Sequence, residues 1–586
     1  MSTAAMLALP LGVLLTLFCT GAGLVSVLAP RLSREAQAAI AAPLGAAVFA
    51  CASPLLHAGL PVEGLVVAVL VVFGCLTLAV AKRVLAMLRS VAVPLVIAAA
   101  ALALTSAPAL ANGSWDAAAI DNTDPYVWVS EAKSMLDGPP AGPSSTFPDR
   151  VAYEWISDLR AAVAIPFGVA SIAWVARDDP VDVYGAFAAV LTALLSLGIY
   201  FCARATLGWS KALASVAALA VVANAFVFYS TFNGWQAQIA LALFGTLAIF
   251  GLRLALDEAA ARSEQVLAAV FAGATVATYQ AVAAPFAVLL GAMLVGWGVR
   301  RRDADWRRSA GVVGGFCVAL TVIALVPIVR SLLQLPRLAN QPSPTAWAAY
   351  AHGLPGEALG LIPRVGTAAR PGFAWSAIAL TLTIAVVLFA VRGARHGSRG
   401  DVLLSTGAAS LVAIGLLQLP GPSPYVSMKI VGYVAPILTL VALSGLVGRT
   451  RWPRTRVAVY TASAICFVFS TGIVAAVAMP HLVSASALAP IRPAVQRLPA
   501  DAAIGIRIED EWRQAWAVYY LRDRRLSVHD ENVFVTGFGL KPKGFTQKPY
   551  AYLLEESAGG SNALWRAHGL ALRRVSGSVG VARAGT

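Results

Sequence analysis

Two carboxylates three residues apart, Asp121 and Asp124 in Asp121-Asn-Thr-Asp-Pro-Tyr126, head a polar stretch that also holds Asp116, Glu131, Asp137, Asp149, Glu154 and Asp158. Proline favours the first position of a helix and aspartate its cap, so Pro125 predicts a helix with Asp124 capping it. Asp121 precedes that helix and has no capping duty. It is therefore the first candidate for a base that takes a proton from an attacking hydroxyl, ahead of Asp124 and Glu154. The pair is not a DxD, and its spacing leaves a divalent cation, Mg or Mn, open.

Farther along, Tyr153-Glu-Trp-Ile-Ser-Asp-Leu-Arg160 sets Glu154 and Trp155 near Arg160. An aromatic face beside a carboxylate suits a sugar ring, and an interfacial aromatic belt with a surface ion pair explains the same residues. Lys429, in Pro424-Tyr-Val-Ser-Met-Lys-Ile-Val-Gly-Tyr433, lies near the start of an apolar run. A cation at membrane depth is costly and suits a phosphate ligand, whereas snorkelling to headgroups is the plain alternative. Arg330 and Arg160 are candidates to complete a phosphate clamp, with Arg337, Arg364 and Arg370 nearby in sequence. Tyr126, Trp155, Asn233, Gln236, Tyr279 and Gln280 are candidates for sugar or acceptor contacts, although turn chemistry accounts equally for Asn233-Gly234.

These residues hang on a very apolar frame. Of 586 residues 59% are apolar and 12% charged, with a mean hydropathy of +0.74. A helix crosses the hydrocarbon core with about 20 apolar residues, and about fourteen such runs occur before residue 480. They fall near 4–28, 37–58, 62–81, 90–111, 184–203, 212–230, 236–254, 264–280, 282–299, 309–330, 373–391, 401–419, 426–447 and 457–479. The first reads as a retained helix, because it lacks a basic leader and a cleavage site. Lys and Arg gather in alternate connections, from Arg31/Arg34 through Arg300–Arg302 to Arg449–Arg456, while the intervening turns carry none. Positive connections stay cytoplasmic, which places loops 112–183 and 331–372 and the tail on the outer face. The run 161–176, short and interrupted by Pro166, fits this alternation only as an interfacial or re-entrant helix.

The net charge of +15 follows from those connections, so no nucleic acid is implied. Residues 1–480 read as the membrane domain and 481–586 as a small α/β domain, with strands near 503–508, 526–528 and 533–536 and a helix over 511–521. The six cysteines lie inside apolar runs without CxxC spacing, the histidines are dispersed, and no phosphate-binding GxxxxGK[ST] occurs.

On this layout, on Asp121-Asn-Thr-Asp-Pro-Tyr126 and on Tyr425-Val-Ser-Met-Lys429, the chain resembles the GT-C superfamily of integral-membrane glycosyltransferases. It is most similar in pattern to bacterial arabinofuranosyl- and mannosyltransferases that use polyprenyl-phosphate sugars. The resemblance implies an all-α polytopic protein of the cytoplasmic membrane, with its active site on the extracytoplasmic face. It further implies an inverting transfer from a polyprenyl-phosphate-sugar donor to a glycan or glycoconjugate acceptor. Asp121 or Asp124 would be the base and Lys429 would hold the phosphate, while the tail would bind acceptor through residues such as Trp512. Two other readings stay open. A flippase for lipid-linked glycans predicts polar residues along a central cavity, and a non-catalytic envelope scaffold needs no acids near a cationic span end.

Overall fold

The computed structural model describes residues 3–116, 118–119, 124–137, 163–257, 263–279, 283–300, 306–340, 350–364, 372–397, 399–419, 423–447, 451–478, 483–528, 550–556, 563–567 and 569–575. The chain opens with α1 (Thr3–Leu28), α2 (Arg34–Ala52), α3 (Val62–Ala79), α4 (Ala81–Leu88) and α5 (Ala92–Asn112). The loop pieces β1 (Ala118–Ala119), α6 (Asp124–Asp137) and α7 (Ala164–Ala176) come next. The bundle continues with α8 (Pro180–Phe201), α9 (Lys211–Ala223), α10 (Ala225–Phe232), α11 (Gln236–Ala255), α12 (Glu264–Thr278), α13 (Ala283–Arg300) and α14 (Trp306–Asn340). It closes with α15 (Pro355–Ala358), α16 (Phe373–His396), α17 (Gly400–Leu416), α18 (Pro424–Ser444) and α19 (Pro453–Ala478).

Among the described residues nine helices are long and apolar enough to cross a membrane, or eleven if two bent pairs each count as one span. Every run expected from hydropathy meets a helix or a bent pair. Those at 264–280, 282–299 and 401–419 form helices of 15, 18 and 17 residues. The short run at 161–176 becomes α7, whose inward residues Phe167, Val169 and Ala170 are fully buried. Helix α11 is buried throughout and α8 from Ala186 onward, so the two run through the middle of the bundle. The outer helices turn apolar side chains outward, as at Val322, Phe373 and Val468, which only a lipid solvent tolerates.

The basic connections meet at one end of the bundle. Arg253, fully buried in α11, grips Asp401 with Nε at 2.6 Å and Nη2 at 3.2 Å, and its Nη1 reaches Asp257 at 2.7 Å. Arg399 donates to the carbonyls of Ala205 and Thr206 at 3.1 and 2.8 Å. Arg300 reaches Gly397 O at 2.9 Å, and Glu35 binds Arg204 at 3.2 Å. A buried pair contributes little net stability but punishes the loss of one partner, since the other charge is left in low dielectric. Asp401→Leu is therefore expected to destabilise the protein by about 3–5 kcal/mol, read as a lower thermal midpoint in detergent.

The tail begins with β2 (Val483–Ser484), which pairs antiparallel with β1 through Ala118↔Ser484 and Ala119↔Val483. After α20 (Ile491–Gln496) come β3 (Ala503–Arg507), α21 (Glu511–Leu521) and β4 (Arg525–Val528), then β5 (Tyr552–Glu556), β6 (Ala563–Ala567) and β7 (Leu570–Arg574). Sheet order is β4-β3-β5-β7-β6, parallel on both sides of β3 and antiparallel beyond β5. A parallel pair needs a crossover, and α21 supplies it between β3 and β4. The Asp510 side chain caps α21 by accepting from Arg513 N at 2.8 Å. The strand expected near 533–536 lies outside the described residues.

Candidate active site

Helix α6 carries Asp124 as its first residue, and its N-terminus rests on the turn between α10 and α11. That turn needs Gly234, whose φ is +75°. A Cβ there would lie 2.2 Å from Pro125 Cγ and 2.5 Å from its Cδ, so only glycine lets α6 approach this closely. The Tyr184 hydroxyl holds the turn from below by donating to Gly234 O at 3.2 Å. Gly234→Ala adds left-handed strain and pushes α6 away. It is expected to cut activity by about 10²-fold through a displacement of roughly an ångström, with the fold intact by circular dichroism.

Lys429 stands in the second turn of α18. Its carbonyl accepts from Gln238 Nε2 at 3.3 Å, which ties the helix to α11. Residues 350–364 strap the same end. Gly353 N donates to Ser427 Oγ at 3.1 Å, Gln418 Nε2 donates to Gly353 O at 2.7 Å, and the Tyr350 ring meets Tyr425 edge-on at 5.0 Å. The strap holds its shape through the buried pair of Arg364 and Glu357 at 3.0 Å. Asn224 supports it further: its Nδ2 donates to Ala358 O at 2.8 Å while its Oδ1 caps α10. Arg364, near enough in sequence to suggest a phosphate ligand, is thus engaged by Glu357 and the carbonyls of Ala351 and His352.

The two strands of this construction meet at one contact, with Lys429 Nζ 3.5 Å from Asp124 Oδ2. The ammonium lies 4.7 Å from the Tyr425 ring centroid and 5.9 Å from those of Trp235 and Tyr279. The side chains are 16% and 19% exposed, open enough for a ligand and dry enough to strengthen electrostatics. Three aromatic faces favour a cation without neutralising it. The site lies beside Gln236, at the head of α11, whereas Arg253 and its partners lie near that helix's other end, about 25 Å away. Carboxylate and lysine share one end of the bundle, and the arginine clusters occupy the other.

The remaining candidates distribute unevenly. Tyr279 joins the site. Asn233 and Gln236 are buried in the turn, where Asn233 Nδ2 donates to the Tyr229 hydroxyl at 3.1 Å and Gln236 Nε2 to Thr231 O at 3.1 Å. Tyr126 is 1% exposed, its ring edge-on to Trp516 at 5.3 Å, so it serves the contact with the tail domain. Arg330 is half-buried in α14, six residues beyond a kink at Ala324, and does not take part in the Asp124–Lys429 contact. Asp121, Glu154, Trp155, Arg160 and Gln280 lie outside the described residues, as does the Trp512 side chain. Sequence reasoning missed Trp235, Tyr184 and the role of Tyr425. The last was legible, since Tyr425 and Lys429 are four apart and share a helix face. Among the described residues no three His, Cys, Asp or Glu side chains cluster as metal ligands.

The tail is pinned over α6. Asp179, the N-cap of α8, takes Lys133 Nζ at 2.9 Å and the Tyr519 hydroxyl, with Arg492 at 3.7 Å. Arg522 donates to Ser134 Oγ at 3.1 Å. Burial disfavours the Lys133 charge, but Asp179 and Asp137 outweigh it and hold the ammonium above its usual range.

No protein-family model matches the chain, and no curated protein matches it. Solved structures do. ArnT from Cupriavidus metallidurans in the apo state superposes with a TM-score of 0.50 at 13% identity, over 82% of this chain and 97% of that one. The archaeal oligosaccharyltransferase AglB from Archaeoglobus fulgidus, solved with an inhibitory peptide and a dolichol-phosphate, gives 0.47 at 13% identity, over 79% and 69%. The arabinofuranosyltransferase AftD from Mycobacteria gives 0.46 at 16% identity, over 70% of this chain and 29% of that one.

Proposed function

We propose that this chain, a polytopic membrane protein with the GT-C fold, is a glycosyltransferase that moves a sugar from a polyprenyl-phosphate donor to an acceptor hydroxyl. The observation that carries the reading is the 3.5 Å contact of Asp124 with Lys429 inside an aromatic box. A transfer of this kind needs a base for the attacking hydroxyl and a positive charge for the departing phosphate. Asp124 takes the acceptor proton, the acceptor oxygen bonds to the anomeric carbon, and the bond from that carbon to the phosphate oxygen breaks. Lys429 holds the phosphate as its charge grows. Attack opposite the leaving group inverts the anomeric centre, with oxocarbenium character at the peak. Asp121, three residues earlier in the sequence, is the other candidate for the base. The arginine-rich end faces the cytoplasm on the charge rule, which sets the site on the outer face of the cytoplasmic membrane. A glycan or glycoconjugate is the acceptor, with the tail domain over the site as its further contact.

Incubating the purified protein with a panel of radiolabelled polyprenyl-phosphate sugars tests this. Transfer from at least one donor, with release of polyprenyl phosphate, is the expected result. Turnover of none, together with no binding of polyprenyl phosphate, would refute it.

A further inference from the structure

Helix α6 has one face on the bundle and another on the tail. Its N-terminus rests on Pro125 against the turn at Gly234, and its length packs on α7 and α8. From the other side α21 of the tail reaches it at two levels. The Trp516 ring meets the Tyr126 ring edge-on, with centroids 5.3 Å apart and planes at 71°. About two turns further along α6, Arg522 donates to Ser134 Oγ at 3.1 Å. Upstream, β1 pairs with β2, the strand through which the chain leaves the membrane domain for the tail. The segment that bears Asp124 is thus tied to the tail on both sides of that residue.

The Tyr126 contact has a direction. Successive helical residues are about 100° apart, so Tyr126 stands about 200° around α6 from Asp124. Its ring lies on the back of the turn whose front carries the carboxylate, and Trp516 backs the turn that presents Asp124 to Lys429 at 3.5 Å. The support is continuous. Both rings are buried, and Trp516 meets Tyr519 edge-on at 5.8 Å. The Tyr519 hydroxyl in turn donates to Asp179, the N-cap of α8. Helix α6 needs such a brace, because its 14 residues are about the length at which a helix is marginal without tertiary packing. Lys429 stands apart from the tail, on α18, which Gln238 ties to α11.

We infer that Trp516 is a positioning residue for Asp124: the tail, acting through Tyr126, holds the carboxylate against Lys429. The inference rests on the proposed transfer for its kinetic consequence, whereas its geometry stands without it. A displacement of about an ångström at a reacting group lowers a rate by about 10²-fold. A tail that only gathers acceptor would change the acceptor's KM. A tail that places the base changes kcat.

In the full-length protein in detergent, Trp516→Leu is expected to lower kcat by about 10²-fold, with KM for the donor within a few-fold of wild type. Trp516→Phe, which keeps a ring, should recover most of the rate. Leu564→Ala, exposed on the edge strand β6, should change nothing. Tyr126→Leu removes the same ring pair from the α6 side and leaves the tail's own core intact, so it decides the matter should the Trp516 variants fail to fold. The contact itself is read without turnover, by zero-length coupling of Asp124 to Lys429 with a water-soluble carbodiimide, mapped by mass spectrometry. The cross-link should form in wild type and Trp516→Phe and be lost in Trp516→Leu and Tyr126→Leu. Its absence from wild type, or its persistence in a folded Trp516→Leu or Tyr126→Leu protein, overturns the inference. Its loss with kcat unchanged upholds the placement and moves the base off Asp124. A wild-type protein that neither turns over a polyprenyl-phosphate sugar nor binds polyprenyl phosphate refutes the transfer reading alone, because the cross-link still reports whether the tail places Asp124.

Discussion

Asp124→Asn is expected to lower kcat by about 10²–10⁴-fold while leaving KM for the donor within a few-fold of wild type. Asparagine keeps the size and planar shape of the side chain, and it caps a helix start as well as aspartate does. The rest on Gly234 and the helix α6 should survive, and the substitution removes basicity alone. A loss confined to kcat would mark a group that acts in the transition state, whereas a fall in expression or thermal midpoint would mark a structural one. Asp121→Asn is the paired measurement. Should Asp124→Asn turn over normally and Asp121→Asn fail, the base moves three residues toward the N-terminus. Asp124 would then serve to position Lys429.

How much of this was legible in the sequence differs from residue to residue. Helices α1, α2, α3 and α8 announce themselves, because an apolar run of that length has few other solutions. The break between α9 and α10 did not, since hydropathy continues straight across Asn224. Only its capping chemistry marks the 50° bend. That Asp124 and Lys429 lie at the end of the bundle opposite the arginines followed from the charges of the connections, a pattern that is read without tertiary structure. Which side chains turn inward is another matter. Asn233, Gln236 and Tyr126 lie at the expected level, yet packing directs them into the turn and toward Trp516. A loop sequence carries no period from which such directions can be read. Likewise Trp235 reaches Lys429 only because α11 and α18 lie side by side.

Lys429→Ala should reduce kcat/KM for the donor by about 10²-fold, the worth of one charge-assisted contact of about 2–3 kcal/mol to a phosphate. It should affect KM for the acceptor far less. A lysine that only snorkels to headgroups predicts no such split, because its removal costs the substrate nothing. The surroundings sharpen the test. An ammonium fits among rings at 4.7, 5.9 and 5.9 Å, whereas the wider, planar guanidinium of Lys429→Arg must displace one of them. Arginine, with its charge intact, is therefore expected to rescue only part of the donor affinity. Full rescue would mean that charge suffices and the aromatic box is incidental. The box also keeps water from the ammonium, and burial of the cation strengthens its attraction to phosphate as well as to Asp124. Donor phosphate thus competes with the carboxylate for one lysine, and raising polyprenyl phosphate should make Asp124 more reactive toward a carbodiimide. Equal reactivity with and without the lipid would show that the Asp124–Lys429 contact persists when the donor binds.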